Sequence, residues 1–132
     1  MGDIERYFQD LEGLLPVTEN QLKNDSKLQY SIAFLTEQIV NECINLGNHV
    51  LSSMKLQPPS TFSQVFDNLA KAGLISTDTS EEMKYLVRVR NALAHRYGEF
   101  GFNGLVESST RIGGAKLFVE ELTKSLKKTG KI

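Results

Sequence analysis

Several residue types on which large protein classes depend are scarce in this 132-residue chain. Its single cysteine, Cys43, cannot form an internal disulfide bond. The uninterrupted apolar runs are only a few residues long, far below the roughly 20 residues that cross a bilayer. No charged start leads into an apolar segment of the kind that a secretory signal requires. We therefore expect a cytoplasmic protein with no membrane span.

The chain also lacks the usual means of metal and nucleotide-loop chemistry. Two histidines and one cysteine do not supply the several ligands at fixed spacing that a metal site requires, so we expect no metal and no other cofactor. No alternation of apolar and polar residues predicts a β-strand, and a Gly-rich phosphate loop needs a strand before it. No Ser or Cys is spaced from a His in a way that indicates a nucleophile and its base.

A large excess of positive charge is absent as well. The formal net charge is −1 and the pI is about 6.1, which argues against a protein that coats nucleic acid generally. The charge is unevenly distributed, because residues 1–50 carry eight acidic and three basic side chains, and residues 51–132 carry eight and twelve. A polyanionic partner should therefore bind the second half of the chain.

Helical spacing of apolar residues is present in the first half of the chain. It predicts a first helix over Asp3–Leu15, ended by Pro16. Thr18-x-x-Gln21 has the pattern of a capping box, and Asn24-Asp25-Ser26 offers an N-cap for the next element. A long helix is predicted from about Ser26 to Leu56.

Two adjacent apolar stripes on this long helix predict burial on two sides. They consist of Leu35, Ile39, Cys43, Leu46 and Val50, and of Val40, Ile44, Gly47 and Leu51. The remaining face is mostly uncharged and carries Gln38, Glu42, Asn45, His49 and Ser53. A subunit interface, a cleft floor or a solvated surface with hydrogen-bonded amides would each explain this face. His49 by itself is more typical of a structural histidine than of a catalytic one.

The second half begins at a hinge, Leu56–Pro59, because proline restricts itself and the residue before it. Thr61-x-x-Gln64 then predicts the start of a helix, with Phe62, Val65, Phe66 and Leu69 facing inward and Gly73 closing it. Asp78-x-x-Glu81 and Thr79-x-x-Glu82 both suit the next N-terminus. The helix that begins there should end at Gly98.

The last third is predicted to begin with a flexible connection at Gly101 and Gly104. A final helix follows over Ile112–Leu126, weakened at its start by Gly113-Gly114, and a basic tail frays from about Lys124. The fold class is therefore all-α, as one domain over residues 1–132, built as a bundle of four or five helices.

Polar residue types converge in one stretch, Arg90-Asn91-Ala92-Leu93-Ala94-His95-Arg96-Tyr97. In a helix, Arg90 and Tyr97 lie almost above each other, and Asn91 and His95 form a second pair. Judged by residue types alone, an arginine and a histidine near a helix C-terminus are better explained as partners of the helix dipole than as catalysts.

This Arg-x4-His-x-Tyr pattern, with Asn directly after the Arg, resembles the signature of HEPN domains, and most closely that of HepT-like toxins. The resemblance extends upstream through Asn41–Val50, Pro58-Pro59 and Ala72–Ile75, so that it covers about residues 25–100. It implies a helical dimer that cleaves RNA without a metal, using the 2′-hydroxyl of the substrate as the nucleophile.

The resemblance implies a role for each residue of the motif. His95 would transfer protons near neutral pH, and Arg90 would hold the phosphate as charge builds on its oxygens. Asn91 would contact a phosphate oxygen, and Tyr97 would donate a hydrogen bond or stack on a base. Three further cations would attract the strand without reading its sequence: Lys84, Arg88 and Arg96.

A homodimer would supply the second imidazole that one chain lacks. The resemblance further implies a partner, a nucleotidyltransferase antitoxin of the minimal type, that transfers AMP from ATP onto Tyr97. The bulky anionic group would then block the site and pair with Arg90. Two alternatives remain open at this point: a non-catalytic dimer that binds a nucleotide or the nucleotidyltransferase as an adaptor, and a purely structural bundle.

Overall fold

The computed structural model describes the backbone of residues 2–95 and 97–130 and the side chains of residues 3–94 and 101–130. Within these ranges the chain contains helices and no β-strand, which confirms the predicted all-α class. The seven helical segments are α1 (Gly2–Glu12), α2 (Glu19–Asn24), α3 (Ser26–Ser53), α4 (Phe62–Lys71), α5 (Thr77–His95), α6 (Tyr97–Thr110) and α7 (Gly113–Lys128).

Helix α3 is the centre of the bundle and contacts all six other helices. Its 28 residues span about 42 Å at 1.5 Å per residue. Both predicted apolar stripes face neighbouring helices, and of their nine residues only Leu46 is partly exposed. The prediction of burial on two sides is therefore confirmed.

Gly47 allows α4 to lie unusually close to α3. A Cβ atom at this position would stand 2.5 Å from Cγ1 of Val65 and 3.2 Å from Cδ1 of Leu69, both on α4. The missing side chain thus lets the two helices approach each other, and this places the first half of α4 beside the last two turns of α3.

Two predicted helix ends lie too far along the chain. Helix α1 ends at Glu12, because the Gly13 and Leu14 amides fold into a turn that bonds back to Gln9 and Leu11. Helix α3 ends at Ser53, where Lys55 takes a left-handed conformation (φ 55°) and the Leu56 amide donates back to the Leu51 carbonyl. In both places a tertiary contact of leucines beyond the helix outweighs the continuing helical pattern, because Leu14, Leu15 and Leu56 fold back onto the core.

Most predicted helix starts are confirmed by their hydrogen bonds. Thr18 forms the complete capping box with Gln21, and the Asp25 carboxylate accepts from the Leu28 amide. The Thr61 hydroxyl accepts from the Gln64 amide at the start of α4. Gly73, with a φ of 76°, closes α4 as predicted.

The start of α5 differs from the prediction by two or three residues. The Ser76 hydroxyl accepts from the Thr79 amide, so Ser76 is the cap and Asp78 lies in the first turn. The carboxylate of Glu121, on α7, accepts from the Ser76 amide (2.8 Å) and from the Thr79 hydroxyl (2.6 Å). The anion that complements this helix end thus comes from a residue more than 40 positions away, which no local pattern could indicate.

Helix α6 was not predicted. Its backbone is helical over Tyr97–Phe100, so Gly98 is not the helix stop, and the non-helical residue is Gly101 (φ 77°, ψ 166°). The glycines weaken the intrinsic preference for a helix, but Leu105, Ser108 and Ser109 are buried against the bundle. Tertiary packing therefore stabilises a helix that the local sequence disfavours. With α6 included, the bundle has more helices than the predicted four or five.

Helix α7 closes the bundle against α3 and α5. Its apolar face is buried and includes Ala115, Phe118, Leu122 and Leu126. The helix continues to Lys128, beyond Lys124, where the sequence predicts a frayed tail. Among all described helices, none is long and apolar enough to cross a membrane.

Candidate active site

Arg90 is held in place by residues from three helices. Its Nε donates a hydrogen bond to Oδ1 of Asn41 on α3 (2.8 Å), and its Nη1 donates to Oδ1 of the adjacent Asn91 (3.2 Å). The guanidinium carbon lies 5.1 Å from the centre of the Phe62 ring at the start of α4. These contacts fix the plane of the guanidinium while two neutral amides use only two of its five N–H groups.

The fixed guanidinium lies on the wall of an open groove of about 560 Å³. We call it the Arg90 groove, defined by Asn48 of α3, by Ser60, Thr61 and Phe62 at the start of α4, and by Arg90 and Asn91 of α5. The Pro58-Pro59 segment carries the chain from α3 to this position. Among the described residues that line the groove, Arg90 is the only charged one.

The exposed side of α3 runs up to this groove. One line along the helix, within about 40° of Asn41, carries Tyr30, Phe34, Glu37, Asn41, Asn45 and Asn48, and we call it the α3 outer stripe. Tyr30 is 63% and Phe34 55% exposed, which is unusual for large aromatic residues on a long helix. The neutral face predicted from sequence overlaps this stripe, and its Asn45, His49 and Ser53 are exposed.

Of the predicted site residues, Arg90 and Asn91 come together in the groove. Arg88 does not join them, because it is two residues before Arg90 and therefore about 160° round the helix. It is exposed, and its guanidinium carbon lies 6.0 Å from the centre of the Tyr85 ring. Its proposed role in attracting RNA remains a prediction.

Lys84 also lies away from the groove. Its ammonium group is 2.9 Å from Asp67 and 3.3 Å from Glu81. The hydrogen bond to Asp67, followed by that to Glu81, raises the pKa of Lys84 above its ordinary value. Two carboxylates therefore compensate the charge that the sequence assigns to RNA attraction, and that role stays a prediction.

The remainder of the motif lies outside the described side chains. Helix α5 is described to His95 and α6 from Tyr97, but the side chains of both residues, and Arg96 as a whole, lie outside the described residues. The predicted roles of His95, Arg96 and Tyr97 therefore stay predictions. Among the described residues, no group of three or more His, Cys, Asp or Glu side chains is placed to hold a metal ion.

Sequence reasoning missed two residues of the site. Phe62 was predicted to face inward with Val65, Phe66 and Leu69, but it is 42% exposed and only the other three are buried. Its place at the first position of α4, directly after the Thr61 cap, was a usable signal, because a first-turn residue lies at the rim of the bundle. Asn41 is a polar residue between buried Val40 and Cys43, and its partner 49 residues away was not predictable locally.

Sequence similarity relates this chain to a known protein family. The family profile described as "Ribonuclease HepT-like" matches residues 4–110, a span that contains the whole Arg90 groove. This chain belongs to the ribonuclease HepT-like family. Helix α7 of the HepT-like chain lies beyond the matched residues.

One relative of the HepT-like chain is the mRNA nuclease HepT of Shewanella oneidensis. The two are 30% identical over 87 residues, which cover 66% of this chain. The similarity spans 65% of the length of that relative, slightly less than two-thirds.

Several solved structures share the fold of this HepT-like chain. A tri-AMPylated Shewanella oneidensis HEPN toxin in complex with an MNT antitoxin superposes with a TM-score of 0.83 at 24% identity, over 92% of this chain and 91% of that one. A toxin–antitoxin complex with AMP-PNP also gives a TM-score of 0.83, at 23% identity over 92% of both chains. A cytosolic protein of unknown function from Bacillus subtilis gives 0.79 at 12% identity, over 99% of this chain and 93% of that one.

Proposed function

We propose that this HepT-like chain is the toxin of a toxin–antitoxin pair and that it is an endoribonuclease acting without a metal ion. The observation that carries the proposal is the Arg90 guanidinium, fixed at an open groove by two neutral amides and an aromatic ring. A cation that is oriented but not neutralised is suited to bind a phosphate and to stabilise the charge that develops on it. The similarity to an mRNA nuclease supports RNA as the substrate.

In the proposed reaction, the 2′-oxygen of the RNA attacks the adjacent phosphorus while the bond from phosphorus to the 5′-oxygen breaks. A base removes the proton from the 2′-hydroxyl, and an acid gives a proton to the departing 5′-oxygen. His95 is suited to either task, because the imidazole titrates near neutral pH. Arg90 holds the non-bridging oxygens, and the products are a cyclic phosphate and a 5′-hydroxyl.

A homodimer would provide both a base and an acid, one His95 from each chain. The α3 outer stripe supports this part of the proposal, because two large aromatic residues, Tyr30 and Phe34, are exposed on it and it runs up to the Arg90 groove. A second copy that covers the stripe would bring two grooves near each other. Light scattering should give the mass of a dimer at micromolar concentration, and a monomer would contradict this assembly.

Regulation would come from an antitoxin of the MNT type, which transfers AMP from ATP to the Tyr97 hydroxyl with release of pyrophosphate. The solved complex of an AMPylated HEPN toxin with its MNT antitoxin supports this part. The adduct would place a phosphate within reach of Arg90 and fill the space for substrate. Mass spectrometry after expression with such a nucleotidyltransferase should show the added nucleotide on Tyr97. Equal inhibition of Tyr97→Phe would contradict the mechanism.

A second candidate is a non-catalytic dimer that binds a nucleotide or the nucleotidyltransferase. One observation favours it: Lys84 is engaged by two carboxylates, and Arg88 lies on another side of α5 from the groove. The described residues thus do not form a continuous basic track for an RNA strand.

Cleavage of RNA by purified protein in the presence of EDTA separates the two candidates. The endoribonuclease should degrade single-stranded RNA under these conditions. His95→Ala should lower the cleavage rate by about 10²- to 10⁴-fold. Arg6→Ala, an exposed change on α1, is the control and should cleave as wild type does. Absence of any cleavage, or full activity of His95→Ala, would leave the adaptor as the better reading.

A further inference from the structure

We propose that the Arg90 groove binds one unpaired nucleotide of the RNA, with its base against the Phe62 ring and its phosphate on Arg90. This inference rests on the proposed function, because it names the part of the substrate that the site holds. The volume of about 560 Å³ lies within the range of pockets that bind small organic molecules, and the groove is open to solvent along its length.

Phe62 is the residue that suggests a base. It is 42% exposed although the rest of the apolar face of α4 is buried, and the hydrogen bond between the Thr61 hydroxyl and the Gln64 amide fixes the backbone on which it stands. An exposed ring on a rigid element offers a stacking surface to any base, because every base has an aromatic face. The ring already accepts a cation, Arg90, at 5.1 Å, which places stacking surface and phosphate donor side by side.

The polar groups of the groove suit the rest of a nucleotide. Within the described part of the chain, no carboxylate pairs with Arg90, so its positive charge is uncompensated there. Asn91 uses its amide oxygen to accept from Arg90, which leaves its NH₂ group as a donor. Asn48, which lines the same groove from α3, can pair with a base edge through its side-chain amide.

This arrangement favours an unpaired strand over a duplex. In a duplex the faces of each base are covered by its neighbours and its edge is occupied by its partner, so neither Phe62 nor Asn48 would find a free surface. The charge is also concentrated at one guanidinium rather than spread along a track, which fits one phosphate.

Titration with mononucleotides, followed by NMR of the full-length protein, tests this site directly. AMP and UMP should both bind more tightly than ribose 5-phosphate, which lacks the base, by about 5- to 150-fold, the range that stacking on an aromatic residue gives. Phe62→Leu should remove this difference, and Phe62→Tyr should keep it. Leu117→Ala, an exposed apolar change on α7, is the matched control and should bind as wild type does.

Three results would overturn the site. Equal weakening of AMP and ribose 5-phosphate by Phe62→Leu would show that the ring acts only by holding Arg90. If Phe62→Leu bound AMP as tightly as wild type does, the base would have to lie elsewhere. Binding of AMP without UMP would indicate a site for an adenylyl group rather than for the bases of RNA.

The outcome is separable from that of the proposed function. If the mononucleotides bind as expected but the wild-type protein cleaves no RNA, the endoribonuclease proposal fails and the nucleotide site stands. If wild type cleaves RNA and Phe62→Leu does so with the same kcat and KM, the nucleotide site fails and the endoribonuclease stands.

Discussion

Two arginines of this chain, Arg90 and Arg111, have similar surroundings and opposite partners. Each guanidinium lies against an aromatic ring, at 5.1 Å from the Phe62 centre for Arg90 and 3.4 Å from the Tyr85 centre for Arg111. Arg111 donates to both carboxylate oxygens of Glu82, at 2.5 and 3.3 Å, and this hydrogen bonding to Glu82 raises the pKa of Arg111. Arg90 donates only to amides of Asn41 and Asn91 among the described residues.

The difference separates a structural cation from one available to a ligand. The Glu82 carboxylate compensates the charge of Arg111, so the pair joins α5 to the turn between α6 and α7. Arg111 therefore has little uncompensated charge with which to bind an external anion. Neutral amides orient Arg90 equally well but leave its charge in place. A guanidinium held by amides therefore indicates a binding site more strongly than a guanidinium held by a carboxylate.

The largest expected effect comes from removing each guanidinium in turn. Arg90→Gln should lower kcat/KM for RNA cleavage by about 10²- to 10³-fold, because a preorganised donor to the transition state is lost. Arg111→Gln should leave cleavage nearly unchanged and cost about 1 kcal/mol of the free energy of unfolding, since its ion pair is partly exposed. Cleavage assays and urea denaturation of both variants measure the contrast. Equal losses of activity would remove the distinction between the two residues.

A single added negative charge beside Arg90 should neutralise its guanidinium, as Glu82 does for Arg111. In Asn41→Asp, a carboxylate would take the place of the amide oxygen that now accepts from Nε at 2.8 Å. The guanidinium stays oriented but is neutralised, so we expect roughly tenfold lower kcat/KM, mainly through a higher KM, with no loss of thermal stability.

The control for that variant carries the same added charge elsewhere. Asn103→Asp lies on α6 at an exposed position and should retain full activity. If Asn41→Asp instead cleaved RNA at the wild-type rate, neutral partners would not be the reason for the availability of Arg90.

The carboxylate of Glu121 connects α7 to the start of α5 and lies away from the Arg90 groove. A change at this residue should therefore affect stability and not RNA cleavage. Burial raises the pKa of Glu121, but the hydrogen bonds from Thr79 and Ser76 outweigh burial and hold the pKa below its ordinary value. The stabilisation is therefore present above the pKa of the unfolded state and is lost as the pH falls through the lowered folded-state pKa.

Glu121→Gln should accordingly cost about 1 kcal/mol of the free energy of unfolding at neutral pH. The difference from wild type should shrink as the pH is lowered, and urea denaturation across an acidic pH series measures it. Glu120→Gln, the exposed neighbour on α7, is the matched control. A difference that is constant with pH would argue against a charged hydrogen-bond acceptor at the start of α5.

The smallest expected effect concerns Arg88, which belongs neither to the contacts of Arg90 nor to those of Arg111. Arg88→Ala should weaken binding of single-stranded RNA only a few-fold and reduce the slope of log affinity against log salt by about 0.7, the contribution of one phosphate contact on a single strand. Its melting temperature should match that of wild type. Fluorescence anisotropy at several salt concentrations measures the slope, with Arg6→Ala as control. An unchanged slope would show that Arg88 does not contact the strand.

Local sequence patterns account for much of the fold. The Thr18 and Thr61 caps, the two buried stripes of α3 and the stop at Gly73 depend on side chains only a few residues apart, and each was predicted. The early ends of α1 and α3 and the helix over Tyr97–Thr110 depend on leucines that return to a distant core, and these were not predicted.

The sequence by itself determined that this is an all-α chain and that Arg90 and Asn91 stand together, because helical period and adjacency are properties of neighbouring residues. Only the tertiary structure decided which cation is available to a ligand. The Asn41 side chain accepts a hydrogen bond from Arg90, and the exposed Phe62 ring lies against the same guanidinium. Asp67, on another helix, compensates the charge of Lys84. Hydrogen bonds and charge compensation act across a few ångströms of space, and the residues that supply them here lie far apart along the chain.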